Sequence, residues 1–337
     1  MTRFMQRILM AAVLVLLPAI SISWAQDSAK PMPPSSYHVI DNGLHLPPGK
    51  ALGSISSIDF DAEGNQFVLQ RCVTCGQHPK EGDPPSVLWK FDKDGKFLGE
   101  WGEGAIAKEG HSVRIDRFGF IWITDTLGHQ VKKYRPSDGK VVLTLGKYGV
   151  PGETEDTFNQ PTDVFVLANG DTFITDGYGN QRVVKFDKNG KFIKTWGTKG
   201  TGEGQFRLPH SIIQDNRGRL LIGDRCGLST SHCVGARIEI FDTDGKYLDQ
   251  WPTLGGDDRF PMSSPATLYY IPKTDLVYVT ASSKIMVADA KTGKVMNFIE
   301  TAPGLVNHGI AVNHEGDVFA AGIDHGGLVR YTRRAVQ

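Results

Sequence analysis

Three histidines occupy the same position in a repeated segment of the chain. His111, His210 and His308 each begin a short stretch that reads as a β-hairpin, and the intervals between them are 99 and 98 residues. A single histidine of this kind is usually structural, but three at regular spacing indicate a shared ligand. Three imidazoles with one open coordination position form a typical catalytic zinc site. Imidazole also suits copper, nickel and iron, so zinc is an inference from the ligand set.

Two arginines and a tyrosine recur at a second position. Arg71, Tyr178 and Arg225 lie 15 or 16 residues after the start of their segments. A hairpin of this length turns once and returns, so these side chains should reach the same end as the histidines. Arginine binds carboxylates in bidentate fashion, and a phenol beside a cation can act as a base. The three residues are therefore candidate catalytic groups.

Three aspartates lie just before this second recurrent position of the repeat, and their expected role is not catalytic. Asp125, Asp176 and Asp224 recur with the repeat itself. Because Asp side chains commonly hydrogen-bond nearby backbone amides in turns, we expect a structural role for them.

The elements that must position these residues form a sixfold repeat. "KFDKDGKFLGEWG" at 90–102 matches "KFDKNGKFIKTWG" at 185–197, and four further segments resemble them. The aromatic or aliphatic anchors are 43, 52, 55, 46 and 44 residues apart: Phe91, Tyr134, Phe186, Phe241, Val287 and Tyr331. Units of this length with four short strands predict an all-β, six-bladed β-propeller.

The register of the repeat places the histidines on alternate blades. The sixth unit ends after its third strand, so the segment 36–44 is expected to supply the fourth strand and close the ring. The first strand of a blade lines the central channel, and alternate blades of six lie about 120° apart. Three imidazoles on blades two, four and six can therefore converge on the axis.

The ends and the composition indicate an exported protein. Residues 1–25 combine Arg3, Arg7, an apolar run and a small-residue cleavage site, which is typical of a signal peptide. Residues 26–35 read as a disordered linker, and 36–334 as one propeller domain. The 37 basic and 37 acidic residues balance, which disfavours nucleic acid as a partner. We expect a periplasmic or secreted protein with no membrane attachment after cleavage.

Four cysteines follow the predicted signal peptide. Export permits disulfides, and the local pairs Cys72–Cys75 and Cys226–Cys233 are the preferred assignment. Four cysteines allow three connectivities, so the other two pairings stay open.

The repeats resemble NHL propellers, and several segments resemble peptidyl-α-hydroxyglycine α-amidating lyase. They are "GHSVRIDRFGFIWITDTLGHQVKKY", "FNQPTDVFVLANGDTFITDGYGNQRVVKF", "GQFRLPHSI" and "LIGDR". The resemblance implies zinc held by His111, His210 and His308. It also implies an active-site tyrosine at Tyr178 and two active-site arginines, Arg71 and Arg225. The implied reaction splits a small-molecule or peptide substrate with a C-terminal α-hydroxyglycine carboxylate into an amide and glyoxylate.

The chain departs from this family at several positions. The family holds a structural Ca²⁺ through an Asp after the third His, but Gly309 stands here. The family's disulfide partners beside the tyrosine are Asn159 and Gly179 in this sequence. The loops around the site therefore differ from those of the family, and the substrate preference is expected to differ with them.

Two other functions fit the same fold. A lactonase of the gluconolactonase type would coordinate calcium through Glu, Asn and Asp, whereas the aligned channel positions here carry His and small residues. A non-catalytic NHL-repeat scaffold would bind a partner on its rim and hold no transition metal.

Overall fold

Six four-stranded antiparallel sheets surround a central axis in this computed structural model. The structure describes residues 36–72, 80, 82–102, 106–226, 236–252, 265–281, 284–303, 305, 307–323 and 327–333. The predicted signal peptide, the predicted linker, Cys75 and Cys233 lie outside these residues. The described part of the chain contains no helix, and hence none that is long and apolar enough to cross a membrane.

Each blade is a meander of consecutive strands. Blade 1 contains β2 (Ser54–Phe60), β3 (Gln66–Cys72), β4 (Val87–Phe91) and β5 (Phe97–Glu100). Blade 2 contains β6 (Gly110–Ile115), β7 (Ile121–Asp125), β8 (Gln130–Tyr134) and β9 (Val141–Gly146). Blade 3 contains β10 (Asp163–Val166), β11 (Thr172–Asp176), β12 (Arg182–Phe186) and β13 (Phe192–Trp196).

The other half of the ring repeats this order. Blade 4 contains β14 (Pro209–Gln214), β15 (Leu220–Asp224), β16 (Arg237–Phe241) and β17 (Tyr247–Trp251). Blade 5 contains β18 (Pro265–Ile271), β19 (Leu276–Ala281), β20 (Lys284–Asp289) and β21 (Val295–Glu300). Blade 6 contains β22 (Asn307–Val312), β23 (Val318–Gly322), β24 (Leu328–Thr332) and β1 (His38–Ile40).

The N-terminal strand closes the ring, as the repeat predicts. Strand β1 pairs antiparallel with β24, with Val39 opposite Tyr331. All six predicted anchors lie on the third strand of their blades. The first strands β2, β6, β10, β14, β18 and β22 contact one another in sequence around the axis, and β22 returns to β2. The sixfold arrangement is confirmed.

The apolar core lies between neighbouring blades. One cluster packs Phe67 and Leu88 of blade 1 against Val113 and Ile123 of blade 2. Inner strands are buried on both faces, whereas the outer strand β13 alternates between half-buried and exposed residues. This gradient explains why the inner strands read as continuous apolar runs and the outer strands as alternating ones.

The glycines that set the repeat register occupy the hairpin turns. Gly64, Gly119, Gly170, Gly218 and Gly316 all have φ between 75° and 90°. Glycine is favoured in this left-handed region of φ because glycine has no Cβ. Blade 5 lacks the glycine and uses Asp275 at φ 54° instead.

Candidate metal centre

The three predicted ligands lie on the first strands of alternate blades. His111 is in β6, His210 in β14 and His308 in β22, and each is at most 3% exposed. In each strand the pairing register shifts across the histidine, so the histidine is the extra residue of a β-bulge. Bulges re-aim side chains beside active sites. Here they turn three imidazoles from alternate sheets towards one point.

One nitrogen of each ring is held by the following blade. His111 Nδ1 lies 2.6 Å from the carbonyl oxygen of Thr162, and His210 Nδ1 lies 2.5 Å from that of Ala266. His308 Nδ1 lies 2.8 Å from the carbonyl oxygen of Ser56. A carbonyl oxygen only accepts, so each Nδ1 carries the proton and donates it. Each acceptor occupies the histidine's own repeat position in the next blade, which gives the site its threefold regularity.

The second nitrogens converge. One ligand nitrogen from each histidine lies within 4.8 Å of the others. The Nε2 atoms of His111 and His210 are 3.1 Å apart. Two imidazole ligands of a tetrahedral zinc ion are separated by roughly 3.3 Å, given the usual Zn–N bond length. Backbone carbonyls that hold the outer N–H of ligating histidines are also typical of zinc sites. The donor set therefore fits a transition metal.

The environment favours the neutral imidazole at His111 and His210. Burial lowers the pKa of His111 well below its ordinary value, and the charges of His210 and His308 add to that effect. Burial also lowers the pKa of His210, followed by the charge of Arg225. Since Nδ1 keeps its proton, Nε2 of each ring presents a lone pair, which is the form that binds a metal.

Tyr178 and Arg225 reach this cluster, as the hairpin geometry predicts. The Tyr178 hydroxyl lies 3.1 Å from Nε2 of His111 and 3.0 Å from Nε2 of His210. Arg225 donates from Nη1 to His210 Nε2 over 3.1 Å. Burial raises the pKa of Tyr178, while the charges of Arg225 and Arg71 lower it.

Arg71 lies at the same end of the channel and is fully buried. Its Nη1 is 3.1 Å from the carboxylate of Glu109, and the guanidinium charge helps lower the pKa of His111. Glu109 was not among the predicted site residues. The sequence could have indicated Glu109, because it lies two residues before His111. It could not indicate the pairing, because Arg71 belongs to another blade.

The recurrent aspartates hold the loops around the site. Asp125 accepts backbone N–H bonds from Lys108, Glu109 and Gly128. Asp224 accepts those of Arg207 and Leu208. Asp176 accepts from the backbone of Asn159 and from the side chains of Asn180 and Arg182. The structural interpretation of these three residues agrees with their contacts.

The position of the family's calcium ligand does not fit a carboxylate. A Cβ at Gly309 would lie 2.6 Å from the carbonyl oxygen of Ser56 and 2.8 Å from Cα of Ser57. The absence of a side chain lets β22 approach blade 1 closely enough for the His308–Ser56 bond. The residues present therefore give no basis for a calcium site at Gly309.

A charged network missed by the sequence reasoning ties the first strands together beyond the histidines. Arg114 forms a bidentate pair with Asp163, with contacts of 2.9 and 2.6 Å, and also donates to Ser211. Asp163 is 1% exposed. In their repeats these residues lie one or three residues after the position that His111 and His210 occupy. Their residue types differ from blade to blade, so the repeat does not reveal the network.

The predicted disulfides remain predictions. Cys226 is buried directly after Arg225. Its expected partner Cys233 and the partner Cys75 of the other predicted pair lie outside the described residues.

Similarity to known proteins agrees with this geometry. No family model matches the sequence. The chain is 30% identical over 305 residues to a probable peptidyl-α-hydroxyglycine α-amidating lyase of Caenorhabditis elegans, covering 82% of each protein. It is 32% identical over 246 residues to peptidylglycine α-amidating monooxygenase of Rattus norvegicus, covering 64% of this chain. The chain spans about a quarter of that protein, 23% of its length.

Two further similarities concern the repeat and the fold. The human NHL repeat-containing protein 3 is 31% identical over 214 residues, covering 60% of this chain and 57% of that protein. A solved gluconolactonase structure from Xanthomonas campestris superposes with a TM-score of 0.59 at 12% identity, covering 83% of this chain and 86% of that one, which shows the fold alone. By its sequence similarity across the propeller, the chain belongs to the peptidyl-α-hydroxyglycine α-amidating lyase family of NHL-repeat propellers.

Proposed function

We propose that this protein is an exported, zinc-dependent lyase that cleaves the C–N bond of a C-terminal α-hydroxyglycine. The observation that carries the proposal is the convergence of His111, His210 and His308 on one point, with Tyr178 in contact with two of them. The nematode relative is named a probable peptidyl-α-hydroxyglycine α-amidating lyase, which supports the same reaction class. The signal peptide predicted for residues 1–25 supports export.

The residues of the site can be assigned to the steps of this reaction. The substrate R–CO–NH–CH(OH)–COO⁻ would yield R–CO–NH₂ and OHC–COO⁻. The chemistry that zinc supplies when bound by His111, His210 and His308 is Lewis-acid catalysis at a hydroxyl oxygen. Tyr178, as phenolate, would take the hydroxyl proton and return it to the amide nitrogen as the C–N bond breaks. The amide and glyoxylate together contain all the atoms of the substrate.

On balance the surroundings of Tyr178 raise the pKa of its phenol, and burial is the largest cause. Burial alone keeps the phenol protonated, because it raises the pKa of Tyr178. Arg225 and Arg71 lower that pKa. A divalent cation held beside the phenol acts in the same direction as the two arginines.

The activity can be tested with α-hydroxyhippurate. Purified mature protein is incubated with this compound, and glyoxylate is measured before chelation, after chelation and after zinc is restored. The proposal predicts glyoxylate that disappears with the chelator and returns with zinc. Protein that binds zinc but releases no glyoxylate would contradict the lyase assignment for this substrate.

A scaffold function is the second candidate. The similarity to the human NHL repeat-containing protein favours it, because repeat propellers serve many functions. A scaffold requires no transition metal, so the metal content of the purified protein distinguishes the two proposals.

A further inference from the structure

Three residues with left-handed backbone lie around Tyr178. His129, Gln160 and Gln181 have φ of 57°, 63° and 50°, and in the described part of the chain Asp275 is the one other non-glycine residue in this region. Residues with a Cβ adopt such backbone at a cost, and it persists where the surrounding structure holds it. Each of the three contacts Tyr178 directly or through one other residue.

Two hydrogen bonds fix the backbone of Tyr178. Its N–H donates to the carbonyl oxygen of Gln160 over 3.3 Å, and its own carbonyl oxygen accepts from Nε2 of Gln181 over 3.3 Å. Gln181 also donates to the carbonyl oxygen of Gly177 over 3.3 Å. The position of the Tyr178 phenol beside the imidazoles therefore depends on where Gln160 and Gln181 lie.

Gln160 is held in turn by a side chain of the neighbouring blade. Its backbone N–H donates to Nδ1 of His129 over 3.1 Å, and His129 directly precedes β8 of blade 2. The same loop of blade 2 forms a second bond to this segment, from the Thr126 hydroxyl to the carbonyl oxygen of Pro161 over 2.9 Å. The segment that positions Tyr178 is therefore fixed to blade 2.

His129 accepts this bond through an unprotonated Nδ1. The neutral ring then carries its proton on Nε2, the opposite tautomer to that of the three histidines of the candidate metal centre. Burial is the largest influence on the pKa of His129 and lowers it, which favours the neutral ring, whereas the charge of Asp125 raises that pKa. His129 serves in this contact as a neutral hydrogen-bond acceptor.

We propose that His129 is a positioning residue for Tyr178 and acts through the backbone of Gln160. This inference rests on the proposed function, since it concerns the residue assigned as the base of that reaction. Without the acceptor at His129, the left-handed Gln160 loses a contact that holds it, and its carbonyl oxygen no longer fixes the Tyr178 N–H. The phenol then moves relative to the imidazoles, and a displacement of about 1 Å in a reacting group can cost about 100-fold in rate.

Two substitutions of His129 separate the acceptor from the backbone conformation. In His129→Asn the side-chain oxygen stands two bonds beyond Cβ, as Nδ1 does in histidine, and asparagine tolerates left-handed backbone. In His129→Gly the left-handed backbone is favoured but the acceptor is absent. Both variants of the mature protein are compared with wild type, alone and combined with Tyr178→Phe. Thermal midpoint and zinc content establish that each variant is folded and loaded.

The proposal predicts that the two variants differ in turnover. His129→Asn should keep kcat for α-hydroxyhippurate within about threefold of wild type, whereas His129→Gly should lower kcat about tenfold or more with KM changed less than about threefold. In the Tyr178→Phe background, His129→Gly should lower kcat by less than about twofold, because a residue that acts through the phenol has no effect once the phenol is removed.

Hydrogen exchange gives a readout that does not depend on activity. It is measured by mass spectrometry on short peptides that contain Gln160 or Tyr178. Both amides should exchange about tenfold or more faster in His129→Gly than in His129→Asn, because their hydrogen bonds open more often. The amide of Arg225, which donates to the carbonyl oxygen of Leu208 in blade 4, is the control and should not change.

Two results would overturn the proposal. One is a His129→Gly variant whose amide exchange or kcat equals that of His129→Asn. The other is a His129→Gly substitution that lowers kcat by the same factor with and without the Tyr178 phenol, because its effect would then not pass through that group. If the exchange follows the prediction but wild-type protein releases no glyoxylate from α-hydroxyhippurate, the lyase function fails while the positioning of Tyr178 by His129 stands.

Discussion

His111 donates its Nδ1–H to the carbonyl oxygen of Thr162, and this 2.6 Å bond joins a blade-2 side chain to the backbone of blade 3. Equivalent bonds leave His210 and His308 for blades 5 and 1. Each bond selects the tautomer that presents Nε2 to the axis. The inner strands therefore both build the ring and orient the three histidines, so the geometry of the candidate metal centre depends on the packing between blades.

Gly309→Ala tests this dependence. The added Cβ would meet backbone atoms of Ser56 and Ser57 at 2.6 and 2.8 Å, so β22 must move and the His308–Ser56 bond must lengthen. We expect zinc affinity to fall by about 10- to 100-fold, as when outer partners of metal ligands are lost. The zinc affinity of the variant is measured by competition with a zinc-binding dye. Gly119→Ala, which strains a turn with open space around it, should lower stability without changing zinc affinity.

Tyr178→Phe removes the phenol and leaves the three imidazoles. Loss of a general base typically costs about 10²- to 10⁴-fold in rate, so kcat for α-hydroxyhippurate should fall within that range. Bound zinc per chain should remain as in wild type, because Tyr178 is not one of the three nitrogen ligands. A variant with unchanged kcat would exclude Tyr178 as the base.

Arg114→Ala should destabilise the ring. The substitution leaves Asp163 buried and without its bidentate partner. Breaking a buried ion pair in this way costs about 3–5 kcal/mol. Denaturant unfolding of the variant measures the loss, and the exposed Arg117→Ala serves as the control. A loss no larger than that of the control would mean that the network does not hold the strands together.

Glu239 should make stability depend on pH. It is fully buried beside Arg237, and burial raises its pKa to about 8. The folded protein therefore keeps a proton that the unfolded chain releases near its ordinary pKa. The stability contributed by this group is full below about pH 4.5 and is lost as pH rises through about 8.

The matched variants for this effect are Glu239→Gln and the exposed Glu63→Gln. Glu239→Gln should lose less stability than wild type between pH 6 and pH 9, as measured by thermal midpoints. Glu63→Gln should follow wild type. Parallel curves for Glu239→Gln and wild type would show that Glu239 is ionised in the folded protein at neutral pH.

The sequence predicts the ring and the convergence of the ligands because both depend on periodicity. The turn glycines such as Gly119 and Gly218 fix the register, and the register places His111 and His210 two blades apart. The β-bulges that aim the histidines are not visible in this pattern, since a bulge depends on how two strands pair. Glu109 was missed because its partner Arg71 lies 38 residues earlier, on another blade.

The most direct test of the account is the metal content of the purified mature protein and of His210→Ala, measured by mass spectrometry after dialysis. A three-histidine zinc site should give about one zinc ion per chain in the wild type and a loss of stoichiometric metal in the variant, with the fold retained by circular dichroism. A wild-type protein without a stoichiometric transition metal, or a His210→Ala variant that keeps it, would contradict the three-histidine centre.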